Sequence, residues 1–192
     1  MAELYLASTS PRRHELLRQI GLRPLPLTVA VDESVLPGES AEDYVRRLAI
    51  AKAEAGVQAL GRDDAWVLAA DTTVFAGGEI LGKPESLEDA RRIWALLPSP
   101  DHQVLTGVAL IHAGGLQQCT VSTRVEFQSI PEAEQLAYWA SGEPCDKAGG
   151  YAIQGRAALY VSAIQGSYSN VVGLPLAETA ELLRRSQFPL WE

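Results

Sequence analysis

The sequence predicts a mixed α/β fold, a central mixed β-sheet flanked by helices, on three observations. Apolar or β-branched runs of strand length alternate with segments of helical periodicity along the whole chain. No fixed-period repeat or low-complexity linker interrupts that alternation. Some strand runs lead into helices while others follow one another across tight turns, an order that calls for a mixed rather than an all-parallel sheet. The chain has 192 residues, 47% hydrophobic and 21% charged, which suits one globular domain over residues 1–192.

The elements follow in order. A first strand is expected over 4–7, then a helix from Pro11 with Leu16, Leu17 and Ile20 on one face, stopped at Gly21. A second strand is placed near 27–31, and after Pro37 and Gly38 the Ser40 hydroxyl can cap a long helix reaching about Leu60. Asp43, in the first turn, suits the positive end of that helix. Residues 66–75, WVLAADTTVF, are too apolar and β-branched for a surface element and read as a central strand ending in a GGEILG hairpin. A helix over 86–97 stops before Pro98, and two long strands, near 103–112 and 117–128, join at Ala113-Gly114-Gly115. Pro131 opens a helix through Ala140, closed by Ser141-Gly142. After a glycine-rich loop come a strand over 158–164 and a last helix over 176–185.

Charge limits the partners. Asp and Glu number 24 against 16 Lys and Arg, a formal net charge of -8. A broadly acidic chain argues against general binding to nucleic acid or to an anionic membrane, because the phosphate backbone rewards a basic surface. The N-terminus has an acidic residue and no sustained apolar stretch, and no run reaches the roughly 20 apolar residues of a membrane span, so a cytoplasmic protein is expected. Cys119 and Cys145 form no Cys-x-x-Cys and have no histidine spaced for zinc, and are read as thiols in a reducing compartment.

Against that acidic background several basic or buried charges stand out. With Ser10 as N-cap and Pro11 at N1, Arg12 and Arg13 fall in the first helical turn, where cations oppose the helix dipole by a few tenths to about 1 kcal/mol each. Either both arginines are solvated surface charges, or they share a bound anion with the amides and serine hydroxyls of a short strand-to-helix loop; this loop is not a Walker A sequence. Asp71 lies within VLAADTTVF, where an ionised carboxylate costs several kcal/mol unless it meets a cation, a metal or donors. A structural salt bridge and a catalytic or metal-binding acid both remain open for it. Lys52 shares a helical stripe with Tyr44, Leu48 and Ala55, so it either snorkels to solvent or points along a cleft. Lys83, fixed before Pro84, would more often be a plain surface residue, and Glu33 could simply be a loop acid. His14, His102 and His112 sit in no triad-like context and are taken as structural or exposed.

Several separated motifs, in one order over nearly the entire chain, resemble the Maf family of nucleotide pyrophosphatases. They are SxSPRRxELL at residues 8–17, Asp32-Glu33, LAxxKA at 48–53, ADT at Asp71, GKP at 82–84, and the C-terminal GEPCDKAGGYAIQG and GSYSNVVGLPL. The block from Asp146-Lys147 to Gln154-Gly155 is similar to the subfamily acting on thymidine and uridine triphosphates. The resemblance implies an inosine triphosphatase-like architecture and a homodimer. It implies hydrolysis of dTTP or UTP to the monophosphate and pyrophosphate, with a role in nucleotide-pool housekeeping or cell-division arrest. It assigns Asp71 as the proton acceptor; Ser8, Arg13, Lys52 and Lys83 to the phosphates; Arg12, Thr72 and Gln154 to specificity; Lys147 to a loop contact; and Asp71 with Glu33 to a divalent Mg²⁺ or Mn²⁺ ion.

Chemistry makes those assignments coherent. A nucleophile must approach dense negative charge, so cations come first, and Arg13, Lys52, Lys83 and a divalent ion would supply them. A carboxylate of ordinary pKa near 3.9 is a feeble base towards water, so both a metal acting on the water and burial acting on Asp71 are expected. Uracil and thymine present carbonyl, N–H and carbonyl along one edge, which an amide such as Gln154 can match, and an unmatched polar site penalises the wrong base. A purine or modified-purine triphosphate pyrophosphatase, and a nucleotide-binding regulator without turnover, are the competing readings.

Overall fold

A computed structural model describes residues 3–62 and 64–191. Its sheet is mixed. β1 (Leu4–Ala7) pairs in parallel with both β2 (Leu25–Leu27) and β3 (Trp66–Ala76), whereas β3 pairs antiparallel with β4 (Glu79–Leu81). β5 (Gln103–His112) and β6 (Gly115–Phe127) follow, and β6 pairs antiparallel with β7 (Val161–Gln165). The strand order is β2-β1-β3-β5-β6-β7, with β4 off the path on β3. The helices are α1 (Pro11–Gln19), α2 (Ala41–Leu60), α3 (Leu87–Leu96), α4 (Glu132–Ala140), α5 (Tyr168–Val172) and α6 (Leu176–Arg185). No described helix is long and apolar enough to cross a membrane.

The chain divides into two compact units, which are taken separately. The first holds the described residues of 3–71, 106–121 and 173–191; the second holds 72–105 and 122–172. Beside fully buried leucines such as Leu6, Leu17, Leu48 and Leu68, the first unit's core holds a cluster of small side chains. Ala49 and Ala53 of α2 pack with Ala7, Val67, Ala69 and Ala109 of the strands, all nearly or fully buried. Gly56 of α2 and Gly107 of β5 continue the theme: a Cβ on Gly56 would lie 2.7 Å from Val67 Cγ1, and one on Gly107 would meet the Val45 carbonyl closer than 3.0 Å. Small residues on both surfaces let α2 lie close on the sheet. The second unit's core gathers Leu81, Ile93, Trp94, Leu97, Phe127, Tyr138 and Tyr151.

Local chemistry accounts for most boundaries. Ser40 and Ser86 accept the amides of Asp43 and Asp89, the capping bonds that begin α2 and α3, with acidic residues in both first turns. Gly61 closes α2 in the left-handed conformation at φ 61°.

Four expectations are corrected. The second strand lies at Leu25–Leu27, not 27–31, because β1 offers only Tyr5, Leu6 and Ala7 for parallel pairing, with Leu25, Pro26 and Leu27 opposite them. At the end of the strand order Pro26 needs no donor on its open side. The strand expected from Ala158 is a 3-10 turn over Arg156–Tyr160, and β7 begins only at Val161, opposite Phe127 of β6. β6 itself starts at Gly115, so its turn is tighter than expected. Pro131 is the N-cap of α4 rather than its first residue, with extended ψ of 137°. Ser10 is the N-cap of α1 as expected, and its hydroxyl makes no capping bond.

Candidate active site

Tight turns bring the first unit's charged residues together. β1 ends at Ala7 and α1 starts at Pro11, so Ser8, Thr9 and Ser10 form the entire link. Ser8 Oγ accepts from the Ser10 amide at 3.2 Å and from Arg13 Nη1 at 3.1 Å, while Arg13 Nε donates to the Gly173 carbonyl at 2.8 Å. Ser8 rather than Ser10 therefore organises the loop. The first turn of α1 has no acidic residue and no side-chain cap. Arg12, one residue earlier, is half-buried and leaves the helix about 100° away from Arg13.

Burial holds the Arg13 guanidinium below its ordinary pKa; attraction from Asp71 opposes the fall, repulsion from Arg12 adds to it, and Glu33 opposes it more weakly. The guanidinium thus stands within electrostatic reach of both carboxylates, which makes a single cluster of this loop and the acids.

Lys52 joins those acids. Its Nζ lies 2.6 Å from Asp71 Oδ1 and 2.7 Å from Glu33 Oε1, and its side chain is only 14% exposed. The helical stripe that pointed Lys52 inward is thus explained by two carboxylates on one ammonium. Asp71, 7% exposed, sits in the middle of β3, so its charge is stabilised by this partner where bare burial would cost several kcal/mol. Glu33 comes from an exposed loop that α2 holds in place: Tyr44 Oη donates to the Glu33 carbonyl at 2.8 Å, and Arg47 donates to the Ser34 carbonyl at 2.9 Å and to the Glu39 carboxylate. The Arg47 bond brings Glu39 down to a pKa of about 2, and burial raises Tyr44 to about 12, so this brace keeps its charge pattern across the neutral range. Sequence reasoning found Glu33, Lys52 and Asp71 but not the Tyr44 and Arg47 brace, whose carbonyl acceptors carry no side-chain signature.

Among the described residues no group of three or more His, Cys, Asp and Glu is gathered to hold a metal ion. Asp71 and Glu33 do supply hard carboxylate oxygens, and their common contact with one ammonium shows that a single positive centre can reach both.

The remaining site candidates lie in the second unit. Thr72 follows Asp71 on β3 and is half-buried. Lys83 is exposed in the link between β4 and α3. Lys147 Nζ donates to the Glu143 carbonyl at 2.9 Å and pairs with Asp146. Gln154 is exposed in a turn closed by the Gly155 amide on the Ala152 carbonyl at 3.0 Å. The Gly149 amide donates to the Gly82 carbonyl at 3.0 Å, tying the Lys147 loop to the residue before Lys83. A Cβ on Gly149, whose φ is 73°, would press on Val74 at 2.8 Å, so that tie needs glycine.

His102 is fully buried, with Nδ1 2.9 Å from the Leu97 carbonyl and Nε2 3.1 Å from Tyr151 Oη. The carbonyl can only accept, so Nδ1 carries the proton and Nε2 accepts from the tyrosine. Cys119 and Cys145 are free thiols.

The Maf-like protein model matches residues 3–186, covering both units and every residue named above. The chain belongs to the Maf-like protein family. Relatives in this family are similar over nearly their whole length. A dTTP/UTP pyrophosphatase of Hahella chejuensis is 49% identical over 189 residues, 98% of this chain and 94% of its own. Those of Chromobacterium violaceum and Methylococcus capsulatus are 50% and 52% identical, over 97% and 95% of this chain and 96% and 90% of their own. Among solved structures, the Ham1 protein of Staphylococcus aureus aligns with 64% of this Maf-like chain and 71% of its own, at 19% identity and a TM-score of 0.42.

Proposed function

We propose that this Maf-like protein hydrolyses dTTP and UTP between the α- and β-phosphates, releasing the nucleoside monophosphate and pyrophosphate. The relatives at about half identity bear that activity in their names. The observation that carries the reading is the bridge of Lys52 between Glu33 and Asp71 beside the Ser8–Arg13 pair. That cluster holds cations for phosphate oxygens next to a buried carboxylate able to accept a proton.

In this reading Ser8, Arg13 and the uncapped first turn of α1 receive phosphate oxygens, with Arg13 fixed in orientation by Ser8 and Gly173. Lys52 shifts from bridging two carboxylates to sharing its charge with the substrate. Asp71 takes the proton of the attacking water as its oxygen bonds to phosphorus and the bridging P–O bond breaks. Asp71 and Glu33 would hold a divalent Mg²⁺ or Mn²⁺ ion, which when bound would lower the pKa of a bound water and neutralise phosphate charge. With two carboxylates from the chain, its other ligands would be phosphate oxygens and water.

Lys83 and Lys147 are assigned to the phosphates and to a loop contact, and Arg12, Thr72 and Gln154 to choice of base, on the motif positions they occupy. A homodimer and a cytoplasmic location belong to the same proposal, and light scattering on the purified protein tests the first.

Pyrophosphate release from dTTP, UTP, CTP, dATP, GTP and modified nucleotides, with and without Mg²⁺, tests the function. Turnover concentrated on dTTP and UTP is expected. Preference for a purine would overturn the substrate, and binding without release would leave a nucleotide-binding regulator. Asp71→Asn should lower kcat by about 10² to 10⁴-fold, the range of a lost general base; full activity would remove Asp71 from the mechanism.

A further inference from the structure

The motif GEPCDKAGGYAIQG contains one charged residue without a role so far, Glu143. Gln154 occupies the third place of a four-residue turn, Ala152 to Gly155, and an exposed amide on such a turn reads a base only if the turn is held still. The Tyr151 end is held from the core: Trp94 Nε1 donates to the Gly150 carbonyl at 2.7 Å, and Tyr151 is buried against His102. At the Gly155 end Ala157 is fully buried in the same core, and polar contacts add to that hold. There the Glu143 carboxylate accepts the Arg156 amide on Oε2 at 2.9 Å and the Ala157 amide on Oε1 at 3.4 Å. These are the first two amides of the 3-10 turn that follows Gln154, groups that lack partners within the turn itself. The carboxylate is in turn held by Tyr138, whose hydroxyl donates to Oε1 at 2.8 Å and whose ring is buried in the second unit's core.

Glycine at 155 is part of the same fit. A Cβ there would come closer than 3.0 Å to the Glu143 carboxylate, so the turn can seat on the carboxylate only without a side chain. The Glu143 carbonyl, meanwhile, accepts from Lys147 Nζ, a contact that survives any change to the side chain.

We propose that Glu143 is a positioning residue for nucleotide selectivity: its carboxylate clamps the start of the 156–160 turn and thereby fixes where Gln154 is presented. This rests on the base-reading role of Gln154 proposed above, and acts through Gln154 rather than by touching the nucleotide.

The test compares Glu143→Ala, Glu143→Gln, Gly155→Ala and Gln154→Ala, reading kcat and KM on dTTP and CTP together with amide hydrogen exchange. In Glu143→Ala the Arg156 and Ala157 amides should exchange at least tenfold faster. The dTTP to CTP ratio of kcat/KM should fall about tenfold towards that of Gln154→Ala, mostly through KM. Glu143→Gln, which keeps one acceptor, should recover much of the ratio, and adding Glu143→Ala to Gln154→Ala should lower it no further. Gly155→Ala, which crowds the carboxylate without removing it, should reproduce the loss and stands in if Glu143→Ala does not fold. Wild-type exchange, or an unchanged ratio in both Glu143→Ala and Gly155→Ala while Gln154→Ala lowers it, would overturn the role of Glu143 alone. An unchanged ratio in Gln154→Ala would instead overturn the base-reading assignment.

Discussion

Two adjacent arginines at a helix N-terminus are unfavourable in isolation, and their separate surroundings explain why the chain keeps both. Arg13 is tied to Ser8 and the Gly173 carbonyl and stands in the field of Asp71 and Glu33. Arg12 projects elsewhere around the helix. Arg13→Ala should therefore depress turnover on every nucleotide, whereas Arg12→Ala should change their ranking. Identical substrate profiles for the two variants would refute this division. Lys52→Met carries a further expectation: it leaves Asp71 buried without its cation, a loss of about 3–5 kcal/mol. Thermal unfolding should then report the ion pair and kinetics the phosphate role, because a purely structural lysine would lower stability while sparing the kcat of the folded fraction.

At the scale of elements, the small-residue seam between α2 and the sheet is what brings a helix-borne ammonium to a strand-borne carboxylate. Bulky residues there would lift α2 and lengthen the Lys52–Asp71 contact. Gly107→Ala drives a methyl group against the Val45 backbone, which has no rotamer to yield. Overpacking of this kind costs about 1–3 kcal/mol, a fall of roughly 2–12 °C in Tm for a chain of this size. Calorimetry checks the fall, and a parallel loss of kcat would show that the seam also sets the site. The same seam was only half legible. Lys52, Leu48 and Tyr44 betray the buried face of α2 by their spacing, but nothing local reveals that Gly107, some sixty positions on, lies under Val45. Elements with local signals, such as the Ser40 cap and the apolar run of β3, were read correctly. β2 and the 156–160 turn were misplaced because a parallel register and a distant glutamate determine them.

For the molecule as a whole, acid should weaken the fold in two stages. Burial lowers the His102 pKa to about 4, with the Leu97 carbonyl and Asp101 opposing the shift. The unfolded chain then binds a proton below about pH 6.5 that the folded chain refuses until about pH 4, so stability falls across that window, by up to about 3 kcal/mol. Glu39, Asp32, Asp64 and Asp101 have pKa values lowered by their donors, so their stabilisation is lost further into acid, as pH falls through the folded values. Urea titrations at pH 7.5 and 5.0 should show the first stage, and His102→Gln should flatten it; an unchanged slope would assign the loss to other groups.

Ser8 and Glu33 were marked only by their motif positions, whereas the amino-acid order by itself determined the alternation of strands and helices, the Ser40 cap, and the identity of Arg12, Arg13, Lys52 and Asp71 as residues that need an explanation. These are signals written within a turn or two of chain, or in charges that contradict their apolar neighbours. Tertiary structure alone decided that one ammonium joins Glu33 to Asp71, that Ser8 and the Gly173 carbonyl orient Arg13, and that Glu143 holds the turn bearing Gln154. Away from the local chain those contacts join residues from 13 to 160 positions apart, with Glu143–Arg156 and Arg13–Gly173 at the two ends. Helical and strand periods govern only the nearest few neighbours, whereas such partners are selected by the packing of whole elements.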